Sequence, residues 1–305
     1  MRKSLFLFAL GFLFTPLLQA QSKVKILLVG TVHEFQDSLF QKQSIDKHLD
    51  RLRKFAPGLI CVESIPTWDT LSLKAVRASS LTYAQRLRSE RNLNNQNLDA
   101  YLRSGLMEVN SEPENLIYRS RLANYLYANH DFWNAYYHWF LLQERLLSNP
   151  NLRTKELSET FVLDSIHTRV FTNQLPTEFG RIIFPLANQL SINYLENIDD
   201  RSDDAEFSRL SKKMPGRLLL NLKLFKALRF YNGLKKESME AERKGMLIEK
   251  VNSESFQSRL VNAIDELPTR WVKGQAARRL QELWYLRNRR MADRIVAVTQ
   301  KHKAD

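Results

Sequence analysis

Four side chains that could act as acids, bases or metal ligands stand just beyond short apolar runs of this sequence. They are His33, Glu63, Asp199 and Asp200. An imidazole and two carboxylates can bind a divalent cation such as manganese, iron or zinc. The same groups can instead serve as a general base and the acid that orients it. Either chemistry requires a fold that brings these separated residues together.

Three apolar runs predict the strands that would position these side chains. The runs are residues 23–29, 59–62 and 192–198, and a helix with one apolar face is predicted over 38–55. A strand–helix–strand unit makes its two strands parallel. Side chains at the carboxyl ends of parallel strands share one crevice. The sequence therefore predicts an α/β fold with a mixed, largely parallel sheet, although one aspartate could instead cap a helix that begins near Asp203.

The rest of the chain has the spacing of helices. Residues of about 70–170 and those from 203 onward are almost wholly helical in pattern, and residues 177–190 predict a helix kinked at Pro185. We therefore expect residues 21–305 to form a single α/β domain with a helical insertion at about 70–170.

The first 20 residues predict a signal peptide. Arg2 and Lys3 precede the apolar run Leu5–Leu18, and Ala20 offers a small residue for cleavage. Because this run is short and poorly flanked for a membrane span, we expect an exported protein, periplasmic or secreted, with no transmembrane span after leader removal. An uncleaved membrane anchor is the alternative.

The net charge of +13 favours anionic partners. The basic residues are spread along several predicted helices, and no nucleic-acid-binding module is recognisable, so we expect a solvated basic face and no specific nucleic-acid binding. Cys61 is the single cysteine, which excludes an intrachain disulfide. It lies in an apolar run, so we expect a small buried side chain and no thiol nucleophile.

Four separated segments together resemble the TraB/GumN/Tiki superfamily and, more distantly, erythromycin esterase and the haem-binding ChaN proteins. The segments are a strand with glycine-x-x-histidine at 26–33, a strand ending in glutamate at 59–63, a helix and strand ending in isoleucine-aspartate at 178–200, and an arginine-asparagine helix at 286–292. The resemblance implies a mixed α/β sheet with a helical portion and a site at the strand ends. Members have been proposed as metal-dependent proteases or esterase-like hydrolases.

The resemblance also implies roles for individual residues. His33 and Glu63 would be metal ligands or acid–base groups, and Asp199 would support them as a third ligand. Arg287 would bind an anionic substrate group or a developing oxyanion. The metal would be manganese, zinc or cobalt.

Further substrate contacts are expected within the matching segments, from Glu178, Asp200 and Asn288. The family's last strand, with a second glycine-x-x-histidine, has no counterpart in this sequence. We expect a helix over Arg287–Lys301 and no strand after it.

These observations predict an exported hydrolase that cleaves a peptide, ester or amide bond with a metal- or base-activated water. The substrate is unknown and could be anionic. The alternative is a non-catalytic binding protein of the cell envelope that uses the helical insertion or the basic face. A relative of the haem-binding branch would use the same crevice without chemistry.

Overall fold

A computed structural model describes residues 25–27, 29, 42–69, 72–74, 77–160, 177–213, 222–261 and 275–304. The chain divides into two compact units, residues 1–30 and 31–305. In the first unit the described residues are in neither a helix nor a strand. The predicted signal peptide and His33 lie outside the described residues. The fold below is that of the second unit.

The second unit is built mainly of helices. In chain order its elements are α1 (Lys42–Phe55), β1 (Cys61–Val62), α2 (Ala78–Glu90), α3 (Asn95–Ser111), α4 (Leu116–Ala128), α5 (Phe132–Ser148), a 3₁₀ turn (Pro150–Leu152), α6 (Lys155–Thr160), a π-helical segment (Phe179–Ile183), α7 (Phe184–Gln189), β2 (Glu196–Asn197), α8 (Asp204–Lys213), α9 (Leu222–Arg243), α10 (Leu247–Val251), α11 (Glu254–Val261) and α12 (Gln275–Ala304).

The predicted α/β fold with a largely parallel sheet is wrong. The structure is 74% helical, and the described residues contain one sheet of two short strands. These strands are parallel, with Cys61 opposite Glu196 and Val62 opposite Asn197. The second and third apolar runs therefore pair as expected, but residues 25–27 and 29 of the first run form no strand.

Among the described residues, a helix side chain and not a third strand bonds to the backbone just before β2, on the side away from β1. The Leu195 N–H donates to Asn134 Oδ1 at 2.7 Å, and the Asn134 amide donates to the Leu195 carbonyl at 2.8 Å. Successive backbone groups of a strand point to opposite sides. Since Glu196 faces β1, through its N–H to the Ile60 carbonyl, Leu195 faces away from β1 and is satisfied by a side chain of α5.

The main hydrophobic core lies in the region predicted as a helical insertion. Residues 134–142 of α5 are all buried, which is two and a half turns of helix with no solvent-facing side. Tyr127 of α4 packs its ring edge against Phe132 at 4.7 Å between centroids. Asn115 caps α4 by accepting from the N–H groups of Ile117 and Tyr118. These helices are thus the centre of the fold and not an addition to it.

The helix predicted to kink at Pro185 begins with a wider turn. The Phe184 N–H donates to the Phe179 carbonyl, five residues back, and α7 continues from there with Pro185 in its first turn. Pro185 is tolerated there because the first turn of a helix does not need its missing N–H. Single π turns such as this one often occur near functional sites. Phe179, at the start of this wider turn, lines the cavity described below.

The predicted helix over Arg287–Lys301 is confirmed, because α12 runs without a break through it. No described helix has both the length and the apolar character that crossing a membrane requires.

Candidate functional site

The carboxyl ends of β1 and β2 lie side by side and bring two of the predicted site residues together. Glu63 follows β1, and the Asp199 N–H donates to the Ser64 carbonyl at 3.0 Å, which continues the pairing beyond β2. Asp199 is 1% exposed, whereas Glu63 is 44% exposed. The strand-end arrangement therefore offers one buried and one accessible carboxylate.

Arg287 of α12 bridges these two carboxylates. Its Nη2 donates to Glu63 Oε1 and, at 2.6 Å, to Asp199 Oδ1, while its Nε donates to Asp199 Oδ1 at 3.0 Å and to the Asp200 carbonyl at 3.1 Å. Burial lowers the pKa of this guanidinium, but the carboxylates of Asp199 and Glu63 outweigh burial and raise it. Arg287 is therefore held as a cation between the two strand ends.

Asp199 accepts further hydrogen bonds on both of its carboxylate oxygens. Arg201 Nε donates to Asp199 Oδ2 at 2.8 Å, and the Asp200 N–H donates to Asp199 Oδ1 at 2.7 Å. Two guanidinium groups and one amide thus compensate the desolvation of this buried carboxylate. This carboxylate positions both arginines.

Asp200 points to a different part of the same helix. Arg294 Nη2 donates to Asp200 Oδ2 at 2.6 Å, and Ser202 donates to Oδ1 through its hydroxyl at 2.5 Å and its N–H at 3.2 Å. Burial raises the pKa of Asp200, but the Ser202 hydrogen bonds and the nearby guanidinium groups of Arg290 and Arg294 outweigh it and lower the pKa. Asp200 is therefore a charged anchor for α12.

Three arginines on one face of α12 form this attachment. Arg287, Arg290 and Arg294 are three and four residues apart, so they lie on one side of the helix. Arg290 contacts Asp203 with 2.5 Å between Nη2 and Oδ2, and Arg294 also donates to the Asp199 carbonyl. The spacing was visible in the sequence, but nothing local identified the acidic partners about 90 residues away.

A cavity of about 370 Å³ opens beside Glu63. It combines carboxylates, arginines, a histidine and aromatic rings, and its lining includes Glu63, Ser64, Arg77, His130, Phe132, Trp133, Thr177, Glu178, Phe179, Asp199 and Arg201. Three of the predicted site residues, Glu63, Glu178 and Asp199, therefore share one cavity. Asp200 and Asn288 are outside this lining, and Asn288 is exposed on α12.

Sequence reasoning missed the basic groups of this cavity. Arg77, His130 and Arg201 are not among the predicted site residues. Burial, and then the charge of Arg88, lower the pKa of His130, so its imidazole is neutral at pH 7. His130 has a positive φ of 65°, and it directly precedes Asp131, the N-cap residue of α5. The position of His130 between two helices could have marked it as a candidate. Its place in the same cavity as Glu63 could not be predicted, because the two residues are far apart in the sequence.

Two of the three predicted metal ligands, Glu63 and Asp199, are described, and an arginine side chain lies between them. Arg287 already places a positive charge between Glu63 and Asp199. Among the residues that the structure describes, no three histidine, cysteine or acidic side chains are grouped closely enough to hold a metal. Cys61 is half-buried, and burial, followed by the charge of Glu196, raises the pKa of its thiol to about 11, so the thiol stays protonated.

Comparison with protein-family models, curated proteins and solved structures found no match to the chain.

Proposed function

We propose that this protein is an exported hydrolase that cleaves a peptide, ester or amide bond with a water activated by Glu63. One observation carries the proposal: Glu63 is an accessible carboxylate at a strand end, on the wall of a cavity that also contains two arginines. The resemblance to the TraB/GumN/Tiki superfamily agrees with a hydrolase, and the leader-like first 20 residues agree with export to the periplasm or beyond.

The residues of the cavity have separate roles in this reaction. Glu63 accepts a proton from water as the water oxygen bonds to the acyl carbon. The carbonyl oxygen gains negative charge, which a guanidinium of the cavity, Arg77 or Arg201, stabilises. The bond to the leaving amine or alcohol then breaks, and that group takes the proton that Glu63 removed. Asp199 contributes by fixing Arg287 and Arg201.

In the other form of the proposal a metal ion activates the water, and His33 is one of its ligands. The pairing of Glu63 and Asp199 with Arg287 argues for the base-activated form, because a divalent cation would have to displace a guanidinium that is held by four hydrogen bonds. Titration of manganese, zinc and cobalt into metal-stripped wild type and His33→Ala distinguishes the two forms. Metal binding that is lost in His33→Ala would favour the metal-activated form.

We expect Glu63→Gln to lower hydrolytic activity by about 100-fold or more, because the amide cannot accept the proton of water. The measurement is kcat/KM on whichever member of a panel of activated esters, anilides and short peptides the wild type cleaves. The thermal unfolding temperature of the variant shows whether its fold is retained.

The matched control is Glu90→Gln. Glu90 is an exposed glutamate at the end of α2 that is also paired with an arginine, Arg86, at 3.5 Å. It lies outside the cavity lining, and its substitution should leave kcat/KM unchanged. Full activity in Glu63→Gln would refute the role of Glu63.

A non-catalytic binding protein of the cell envelope is the second candidate. The observation that favours it is that both strand-end carboxylates are paired with Arg287, as in a structural ion-pair cluster. Its expected result is an absence of turnover on the whole panel together with ligand binding in the cavity.

A further inference from the structure

Arg77 differs from the other arginines of the site in having no acidic partner among the residues that the structure describes. Its guanidinium lies over the ring of Trp133, 5.5 Å from the centroid. Arg287, by contrast, donates to two carboxylates, and Arg294 donates to Asp200. A partly buried cation in a cavity is costly unless an anion compensates it. The structure thus leaves a positive charge in the cavity that forms no direct ion pair with a described residue.

Arg201 offers a second cationic group with spare donors. Its Nε is fixed by Asp199 at 2.8 Å, and its Nη1 is 3.5 Å from Asp204 Oδ2. The side chain is 37% exposed and lines the cavity. Since Asp199 holds only the Nε edge closely, the outer nitrogens of Arg201 remain oriented for a further acceptor.

The apolar part of the cavity wall is a stacked pair of rings. Trp133 and Phe179 are 3.6 Å apart between centroids with an interplanar angle of 10°. Phe132 adds a third ring to the lining. Phe179 is 7% exposed and its ring faces Trp133, so a flat apolar group would reach mainly the partly exposed Trp133, next to the guanidinium that lies over it.

The acidic groups of the cavity do not exclude an anionic ligand. Glu63 and Asp199 each have Arg287 as a counter-ion, and Asp199 also has Arg201. Glu178 is buried at the start of the π-helical segment and adds one further carboxylate to the lining. Of the lining carboxylates, Glu63 and Asp199 are therefore paired with arginines, while Arg77 and the outer nitrogens of Arg201 are the groups that an anion would contact.

We infer that the cavity binds a ligand that carries an anionic group beside a flat apolar group, with Arg77 and Arg201 contacting the anion and Trp133 and Phe179 the apolar part. This inference rests on the proposed function for the choice of site, and it names the substrate class. A carboxylate and a phosphate monoester share the required chemistry.

The test compares two probes that differ in one charge. N-acetylphenylalanine carries a carboxylate, and N-acetylphenylalaninamide has nearly the same shape without it. Binding is measured by calorimetry on the Glu63→Gln protein, so that turnover does not interfere. Phenyl phosphate is the third probe, and it shows whether the cavity prefers a phosphate or a carboxylate. We expect the charged probes to bind at least tenfold more tightly than the amide.

Arg77→Gln and Arg201→Gln, each in the same background, should each weaken the charged probes about tenfold and leave the amide unchanged. The matched control is Arg86→Gln. Arg86 lies in α2 with its guanidinium 4.5 Å from the Tyr83 centroid, so it has the same kind of ring contact outside the cavity lining. Its substitution should change neither probe.

Three results would overturn the inference: equal affinity for the charged and neutral probes, unchanged binding in Arg77→Gln, or no binding of any probe by protein with normal thermal unfolding. The proposed hydrolysis fails separately, by unchanged kcat/KM in Glu63→Gln. Charge-selective binding without turnover would leave this inference standing and refute only the catalytic proposal.

Discussion

Asp199→Ala should lower the free energy of unfolding by about 3–5 kcal/mol. The substitution removes the acceptor of two guanidinium groups, those of Arg287 and Arg201, at a place where the carboxylate is 1% exposed. Both cations would remain partly buried without their main counter-ion. Urea unfolding followed by circular dichroism measures the loss. We also expect faster amide hydrogen exchange in α12, because Arg287 attaches this helix to both strand ends.

Asp50→Ala is the control for this substitution. Asp50 accepts from Arg53 at 2.6 Å, which is as short as the Asp199–Arg287 contact, but its side chain is 57% exposed. Exposed pairs of this kind contribute less than about 1 kcal/mol. If Asp199→Ala is too unstable to purify, Asp199→Asn retains one acceptor and should lose less. A change below 1 kcal/mol in both Asp199 variants would contradict the ion-pair account.

His138→Gln should remove a large part of the acid sensitivity of the fold. Arg119 Nη1 lies 3.1 Å from His138 Nδ1, and His138 Nε2 lies 3.1 Å from the Asn193 carbonyl. Because arginine only donates, Nδ1 accepts and Nε2 carries the proton. Burial, and then the charge of Arg119, lower the pKa of His138 to about 3, although the Asn193 carbonyl partly opposes them.

The sign of the effect follows from where each state binds the proton. Between pH 6.5 and 3 the unfolded chain protonates this histidine and the folded chain does not, so stability falls as the pH falls. The contribution of His138 between pH 6 and pH 4 is about 2–3 kcal/mol. Urea unfolding at pH 7, 6, 5 and 4 on both proteins gives the difference, in which the contributions of His48, His130 and Asp131 cancel. Parallel pH curves would show that His138 is not the group responsible.

The local part of the site was predictable from sequence. An apolar run followed directly by an acid occurs at Glu63 and again at Asp199, and parallel pairing of these runs is enough to bring the two carboxylates to one end. The arginines that surround them were not predictable in the same way. Arg287, Arg290 and Arg294 share a helix face in the sequence, but their partners are set by how α12 packs.

The error in fold class has a similar origin. Short apolar runs indicate strands that are covered on both faces, and they do not say whether a strand or a helix lies next in the sheet. In this chain Asn134 of α5 takes that place beside Leu195. The many aromatic residues of α5 are apparent in the sequence. The position of α5 at the centre of the core depends on its contacts with α4 and α7, which the sequence does not show.

The Asn134 amide also has a consequence for the behaviour of this protein in concentrated solution. An unpaired outer strand is a template on which another chain can form intermolecular β-structure, and natural sheets protect such edges. A two-stranded sheet has an outer edge on each strand. At Leu195 the edge of β2 is closed by two hydrogen bonds from one buried side chain, so a second copy finds neither a donor nor an acceptor there. We therefore expect Asn134 to hinder pairing of another chain at this position.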